Sequence, residues 1–211
     1  MRKYIRYCFY LILAIGISAA RAGAFEDFFK GVEMDQADTV GVLLQRGFDP
    51  NATDAQGNPA LLLALKNESP KVFRLLMTPP AIKVDPANVH GETPLMMAAL
   101  RGEVDACRLL IERGAEVNRE GWTPLHYAAS GPSAEVVKLL IARGARIDSP
   151  SPNGTTALMM AARYGNEDSV LALLAAKADP GLRNERAMSA ADFARSAGRD
   201  KLADRIEQSA R

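Results

Sequence analysis

Apolar residues in the middle of the chain follow a helical pattern that occurs twice with nearly the same residues. Residues 93–99 (TPLMMAA) and 123–129 (TPLHYAA) each carry a leucine and two alanines at three- and four-residue spacing, which places them on one face of a helix. The threonine can cap such a helix, and proline suits its first position. Residues 109–115 (LLIERGA) and 139–145 (LLIARGA) predict a second helix in each copy, ending at glycine. Because one helix pair cannot enclose its own apolar side, stacked copies are predicted.

The same pattern extends over most of the chain and resembles the ankyrin repeat. It can be followed back to residues 59–64 and forward to residues 156–162 and 189–194, whereas the first copy shows only its second helix, at residues 42–49. The resemblance implies an all-α solenoid of about six helix-turn-helix repeats with short β-turn fingers, over residues 25–211. The expected repeats start near residues 26, 59, 93, 123, 156 and 189. The last of them has the half-polar helix of a capping repeat.

Several positions depart from this pattern. Thr78-Pro79-Pro80 stand where a glycine should close a second helix, and Gly131-Pro132 change the turn between two helices. The finger at residues 118–121 is shortened, which should blunt its projection. Lys177 takes the place of a helix-ending glycine, and a left-handed conformation there would cost about 1–2 kcal/mol.

The first 24 residues are typical of a secretory signal peptide rather than of the fold. Arg2, Lys3 and Arg6 give a basic start, 14 residues without a charge follow at 7–20, and Ala22-Gly23-Ala24 form an A-x-A cleavage site that would leave Phe25 as the N-terminus. A membrane-spanning helix needs about 20 apolar residues, so cleavage near Ala24 is favoured over an uncleaved membrane tether. The form of the signal indicates an exported bacterial protein in the periplasm; a secreted eukaryotic protein is the alternative.

Composition and charge narrow the class of partner. A hydrophobic content of 48% with only 6% aromatic residues favours an aliphatic, alanine-rich core of stacked helices. Removing the four basic residues of the signal segment from the 26 in the chain leaves 22 basic against 25 acidic residues. A nucleic-acid-binding protein would normally show the opposite balance. The expected partner is therefore another protein, with no nucleic acid, no membrane after signal cleavage, and a monomeric chain.

The sequence contains no motif that calls for catalysis, a cofactor or a metal. By the resemblance, His126 braces the backbone between neighbouring repeats, and His90 is an exposed turn residue. Cys107 falls where other repeats carry valine or phenylalanine, which predicts a buried, inert thiol rather than a redox group. We therefore expect a protein that is not an enzyme and that has no catalytic, cofactor-binding or metal-binding residues.

In the ankyrin family, partners usually meet the finger tips and the inner face of the first helices. Carried over repeat by repeat, these positions give the candidate partner-binding residues Gln56, Asn58, Lys66, His90, Glu92, Leu100, Arg101, Arg119, Glu120, Trp122, Ser130, Asn153, Thr155, Arg163, Tyr164, Glu185 and Arg186. Their charges are mixed in sign, which suits a protein surface better than a polyanion. The only tryptophan, Trp122, is either a binding hot spot or a residue that packs over the shortened finger.

These features indicate a non-catalytic protein–protein interaction module that acts in the periplasm as a scaffold, assembly factor or modulator of another exported protein. The alternative is an inhibitor or immunity protein that blocks an exported toxin or enzyme. A hydrolase or a small-molecule carrier using the inner groove is less favoured, because the motifs of such proteins are absent from the sequence.

Overall fold

The structure, a computed structural model, describes residues 22–209 and confirms the all-α class. Twelve helices account for the regular structure of this part of the chain, and its β-structure is one antiparallel bridge between Thr53 and Pro59 in a finger turn. The helices are α1 (residues 22–33), α2 (Ala37–Gln45), α3 (Ala60–Lys66), α4 (Pro70–Leu76), α5 (Pro94–Arg101), α6 (Val104–Glu112), α7 (Pro124–Ser130), α8 (Ala134–Ala142), α9 (Ala157–Arg163), α10 (Glu167–Ala175), α11 (Ala190–Ser196) and α12 (Asp200–Gln208).

The predicted signal segment lies largely outside the described residues. Its last three residues, 22–24, belong to the first described turn of α1. In the described part of the chain, no helix combines the length and the apolar character that crossing a membrane requires.

The chain divides into two compact units, the first ending at Lys83 and the second beginning at Val84. In the first, α1 is held by its phenylalanines: Phe28 is fully buried and stacks on Phe48, with ring centroids 4.2 Å apart. The side chain of Asp35 accepts hydrogen bonds from the backbone N–H groups of Lys71 and Val72, both at 2.9 Å. These bonds satisfy donors at the start of α4 that lack partners within the helix.

The second unit consists of two layers of helices. The first helices of its repeats (α5, α7, α9 and α11) pack against one another in sequence, and each second helix packs against the first helix of its own repeat. The paired alanines predicted for the contact face are buried, with Ala128, Ala129, Ala161 and Ala162 at 0% exposure. Their small size lets neighbouring helix backbones approach closely.

Glycine at the end of α9 is required by this close approach. A methyl group added to Gly165 would overlap the carbonyl oxygen of Ala129 in the preceding repeat. In the turn after α7, a methyl group on Gly131 would lie 2.6 Å from the carbonyl oxygen of Leu100 in the preceding repeat. Both separations are well inside van der Waals contact, so any larger side chain must push two repeats apart.

The first helices of the second unit begin with the predicted caps. The hydroxyl oxygens of Thr93, Thr156 and Ser189 each accept a hydrogen bond from the backbone N–H three residues later. At α11 the carboxylate of Asp192 accepts from the backbone N–H and the hydroxyl of Ser189, both at 2.8 Å, and these bonds lower its pKa. Lys177 has a φ of 71°, so the left-handed conformation at that helix end is confirmed.

The last helix, α12, has the half-polar character of a capping helix. Leu202 and Ile206 are buried, whereas Asp204 and Glu207 are exposed and form ion pairs with Arg195 at 3.4 and 2.7 Å. The guanidinium of Arg199 donates to three backbone carbonyl groups at the end of α9, those of residues 161, 162 and 165.

Asparagine and aspartate side chains link the loops of consecutive repeats. In the second unit, the side chain of Asn118 accepts a hydrogen bond from the N–H of Arg146 and donates one to the carbonyl of Gly144, both at 2.8 Å. Asp85 occupies the corresponding position one repeat earlier and accepts from the N–H of Glu116 at 2.5 Å. Its other carboxylate oxygen, Oδ1, is buried without a hydrogen-bond partner.

Candidate functional site

A mostly apolar pocket opens on the first helices of three consecutive repeats in the second unit. Its volume is about 260 Å³. We call it the Trp122 pocket. Its lining residues come from α5, from α7 and the turn before it, and from α9 and its C-cap: Leu100, Trp122, His126, Tyr127, Ser130, Met160 and Tyr164. Concave apolar pockets with aromatic lining are the usual form of ligand and partner sites.

His126 forms the floor of the pocket and joins two repeats. Its Nε2 lies 2.9 Å from the carbonyl oxygen of Thr155, and its Nδ1 lies 3.2 Å from the backbone nitrogen of Thr123 and 2.8 Å from its hydroxyl. A carbonyl can only accept and a backbone N–H can only donate, so Nε2 carries the proton and the ring is neutral. Burial lowers the pKa of His126 below its ordinary value. The predicted bracing role of His126 is confirmed.

Trp122 both packs and lines the pocket. Its ring meets the ring of His126 edge to face, with centroids 5.3 Å apart and planes at 77°. The side chain is nevertheless only partly buried, and it contributes to the pocket wall. The two sequence-based interpretations of Trp122, packing and partner binding, are therefore compatible with one another in this geometry.

Tyrosines close the pocket on two sides. The hydroxyl of Tyr127 donates to Glu92 Oε1 at 3.2 Å, and burial, with the nearby negative charge of Glu92, raises the pKa of Tyr127 to about 12. Tyr164 is 58% exposed, and the guanidinium carbon of Arg163 lies 5.3 Å from its ring centroid. That separation is within the range of a cation–π contact, which holds a positive charge beside the pocket.

The structure brings only some of the predicted binding residues together. Four of them line the Trp122 pocket: Leu100, Trp122, Ser130 and Tyr164. Exposed positions elsewhere are held by Gln56, Lys66, His90, Arg101, Glu120, Asn153, Arg163, Glu185 and Arg186, and partly buried positions by Asn58, Glu92 and Arg119. Gln56, Asn58 and Lys66 belong to the first compact unit and the others to the second.

Thr155 does not offer a surface to a partner, contrary to its place among the predicted binding residues. It is only 3% exposed. Its N–H donates to the hydroxyl of Ser151 at 3.0 Å, and its carbonyl accepts from His126 at 2.9 Å. The backbone of Thr155 is thus bonded within its own finger and to the preceding repeat, and the residue is not available to a partner.

The list of predicted residues omitted three that line the pocket: His126, Tyr127 and Met160. Helical spacing contains the signal for two of them. Tyr127 lies three residues before Ser130, and Met160 lies four before Tyr164, so each shares a helix face with a residue that was selected. The sequence predicts only the bracing role of His126, whose ring also lines the pocket.

The histidine and the partly buried tyrosine of the pocket are engaged in structural hydrogen bonds, and the cysteine of this unit lies elsewhere, on α6. Cys107 is fully buried, as predicted, and burial raises its pKa to about 12, which keeps it as an unreactive thiol. Among the residues that the structure describes, no group of three or more histidine, cysteine, aspartate or glutamate side chains is arranged to hold a metal ion. The chemistry of the site is that of an apolar contact surface.

Comparison with known proteins places these features in a family. A family model described as "Ankyrin repeats (3 copies)" matches residues 29–120 and 117–184. The chain is 32% identical over 154 residues to the B-cell lymphoma 3 protein homolog of Mus musculus, a match that covers 70% of this chain and 34% of that protein. It is 30% identical over 144 residues to ankyrin repeat and SAM domain-containing protein 6 of Rattus norvegicus, covering 68% of this chain and 13% of that protein. The chain thus spans about a third or less of these curated relatives.

A solved structure gives a match over nearly the whole of its chain. It is the complex of the Bd0816 predatory endopeptidase from Bdellovibrio bacteriovorus with the immunity protein Bd3460. The TM-score is 0.74 and the identity 26%, with 86% of this chain and 97% of that chain covered. Together with the helix pairs, their caps and the family match, these similarities establish that the chain belongs to the ankyrin-repeat family.

Proposed function

We propose that this chain is a non-catalytic protein-binding module that holds an exported partner protein through the Trp122 pocket, as a scaffold, assembly factor or modulator of that protein. Ankyrin repeats indicate a protein-interaction module. The observation that carries the proposal is the pocket itself, because it places the only tryptophan and two tyrosines at one surface of three consecutive repeats. Tryptophan and tyrosine contribute a large share of binding energy in protein interfaces.

A second candidate, an inhibitor or immunity protein for an exported enzyme or toxin, is favoured by one specific comparison. The solved structure of similar fold contains an immunity protein in complex with an endopeptidase, and the similarity covers 97% of the matched chain. The same binding surface serves both proposals. They differ in the consequence of binding, since an inhibitor abolishes the activity of its partner whereas a scaffold or assembly factor leaves it intact.

Action in the periplasm of a bacterium is part of the proposal. It is supported by the basic start at Arg2, Lys3 and Arg6, the uncharged residues 7–20 and the A-x-A motif ending at Ala24. Cell fractionation with N-terminal sequencing of the exported form tests it directly. Detection of the protein in the periplasm with Phe25 at its N-terminus is the expected result, and retention in the cytoplasm with Met1 intact would contradict it.

The decisive experiment compares Trp122→Ala with a matched control on another surface. Leu171, on the second helix α10, is 38% exposed and does not line the pocket, so Leu171→Ala removes exposed apolar surface at a different place. We expect Trp122→Ala to weaken capture of the partner from a periplasmic extract at least tenfold, and Leu171→Ala to leave it unchanged. Helical circular dichroism of both variants should equal that of the wild type.

Loss of the fold in Trp122→Ala would show that the tryptophan serves packing alone. If both variants capture the partner as well as the wild type does, the Trp122 pocket is not the binding surface. Once a partner is captured, its activity in the presence of excess module separates the two candidates: complete loss indicates an inhibitor, and unchanged activity indicates a scaffold or assembly factor.

A further inference from the structure

The Trp122 pocket has the size and the lining to receive one aromatic side chain. An apolar cavity of about 150 Å³ already holds a benzene molecule. At about 260 Å³, the pocket can take the ring of a phenylalanine or a larger aromatic group from a partner. Leu100, Met160 and the rings of Trp122 and Tyr164 offer apolar and aromatic surface to such a ring. The flexible thioether of Met160 can adjust to its shape.

Polar groups in the lining are already bonded within the protein. His126 uses both ring nitrogens, Tyr127 donates its hydroxyl proton to Glu92, and Ser130 donates its own to the carbonyl oxygen of His126 at 2.9 Å. A polar side chain that entered the pocket would lose its hydration and would have to compete with these existing bonds. An apolar or aromatic side chain would not incur this cost.

Charges next to the pocket favour an acidic partner segment. Glu92 keeps its negative charge but is partly buried, and both its carboxylate oxygens already accept hydrogen bonds, from Asn88 at 2.9 Å and from Tyr127 at 3.2 Å, whereas Arg163 is exposed. The guanidinium carbon of Arg163 lies 5.3 Å from the ring centroid of Tyr164, which lines the pocket, and within residues 22–209 no carboxylate pairs with this guanidinium. An exposed guanidinium can bind a carboxylate from a partner with paired hydrogen bonds.

We propose that the Trp122 pocket binds an aromatic side chain of the partner protein that is flanked in sequence by aspartate or glutamate. The proposal rests on the proposed function, because it names the segment that the partner protein inserts. The aromatic ring enters between Leu100, Trp122 and Tyr164. The neighbouring carboxylate pairs with Arg163 at the edge of the pocket.

The fluorescence of Trp122 reports occupancy of the pocket directly, because the chain contains only one tryptophan. Three capped probe peptides separate the contributions: Gly-Asp-Phe-Asp-Gly, Gly-Lys-Phe-Lys-Gly and Gly-Asp-Ala-Asp-Gly. At pH 7 and low salt, the aspartate–phenylalanine peptide should change the emission saturably. The lysine–phenylalanine peptide should bind at least tenfold more weakly, and the alanine peptide should produce no change.

Two charge-reversal variants complete the test. Arg163→Glu should reverse the order of the aspartate and lysine peptides, whereas Arg108→Glu, at an exposed position on the second helix α6, should leave the order unchanged. Equal affinity of the wild type for the two phenylalanine peptides would overturn the proposal, as would the absence of any saturable change with the aspartate–phenylalanine peptide. If Arg163→Glu fails to fold, the ranking of the three peptides on the wild type still decides the question.

Failure of this inference can be told apart from failure of the proposed function. If the partner is captured in a Trp122-dependent manner but none of the peptides binds, the pocket is an interface that does not recognise an acidic aromatic segment, and the inference is wrong. If the aspartate–phenylalanine peptide binds in the expected order but no partner protein depends on Trp122, the inference stands and the proposed function is wrong.

Discussion

Asp85 has one more hydrogen-bond acceptor than its surroundings satisfy, and this imbalance can be tested by a single substitution. Its Oδ2 accepts from the N–H of Glu116, but its Oδ1 is buried without a partner. Asn118 holds the equivalent position one repeat later. Its side-chain oxygen accepts from the N–H of Arg146, and its side-chain N–H donates to the carbonyl of Gly144, two residues before Arg146. The corresponding carbonyl for position 85 is that of Gly114. Asp85→Asn supplies the missing donor, so it should stabilise the protein.

The expected gain is the balance of two stabilising contributions and one opposing contribution. A net hydrogen bond contributes about 0.5–1.5 kcal/mol, and relief of a buried unsatisfied acceptor about 1–3 kcal/mol. Asp85 is only half-buried, so the lower part of both ranges applies. Loss of the attraction between Asp85 and Arg119 offsets part of the gain, although Arg119 also pairs with Glu116 at 3.6 Å. We expect a net stabilisation of about 1 kcal/mol at pH 7, equivalent to a rise of about 2–4 °C in Tm.

The effect should depend on pH with a definite sign. Burial raises the pKa of Asp85 above its ordinary value of 3.8. A raised pKa in the folded state means that the protonated form stabilises the fold fully below about pH 3.8, and that this stabilisation is lost as the pH rises through the folded pKa. The advantage of asparagine over aspartate should therefore be largest near pH 7 and should shrink as the pH falls toward 4.

Urea unfolding followed by circular dichroism at pH 7 and pH 4 measures both quantities, and Asn118→Asp is the matched reverse substitution. It should cost about 1–2 kcal/mol at pH 7, because it removes the donor to Gly144. If Asp85→Asn leaves the urea midpoint unchanged or lowers it while Asn118→Asp has its expected cost, the reasoning about the unpartnered oxygen is refuted.

Three further substitutions, one of them with a matched control, test other parts of the fold. The pKa of His126 in the folded state is lowered from about 6.5, so the stability that the neutral ring contributes is present above pH 6.5 and is lost as the pH falls through the folded value. In urea titrations, the stability difference between the wild type and His126→Gln should therefore shrink below pH 6.5. A difference that stays constant with pH would contradict this. Gly165→Ala should lower the free energy of unfolding by about 3 kcal/mol or more, because the added methyl group overlaps the preceding repeat. The control Gly198→Ala, at a φ of 71° with nothing within 4 Å, should cost only about 1–2 kcal/mol. Equal costs would show that the contact between Gly165 and the preceding repeat is not tight. Lys177→Gly should stabilise the protein by about 1 kcal/mol and raise its Tm, because glycine adopts the left-handed conformation at this position without the cost that lysine carries. A lower Tm would mean that the lysine side chain makes a compensating contact.

Most of the helical architecture could be predicted from the sequence, because the repeat carries its own local signals. Threonine followed by proline begins α5 and α7 as the pattern indicated, and the paired alanines lie in the contact face between first helices. The left-handed backbone of Lys177 could also be predicted, because Lys177 stands where glycine ends the second helix in other repeats. These features depend on residues that are close in sequence, which is why the pattern alone predicts them.

The features that could not be predicted depend on a neighbouring repeat. Thr155 is buried because its carbonyl accepts a hydrogen bond from His126, 29 residues earlier, and its position in a finger gave no indication of that. The unpartnered oxygen of Asp85 likewise reflects a contact with the next loop. The pocket itself combines side chains from three repeats, so positions within a single repeat predict Leu100, Trp122 and Tyr164 as binding residues but not Met160.

Site-directed crosslinking at position 122 in cells tests most directly whether the Trp122 pocket is the surface that binds a partner. A photo-reactive phenylalanine in place of Trp122 keeps an aromatic ring in the pocket wall, and the same group in place of Leu171 on α10 gives the matched control. We predict one discrete adduct with a second protein from position 122 and none from position 171. The same adduct in equal yield from both positions, or no adduct from position 122 in a folded protein, would contradict the central claim.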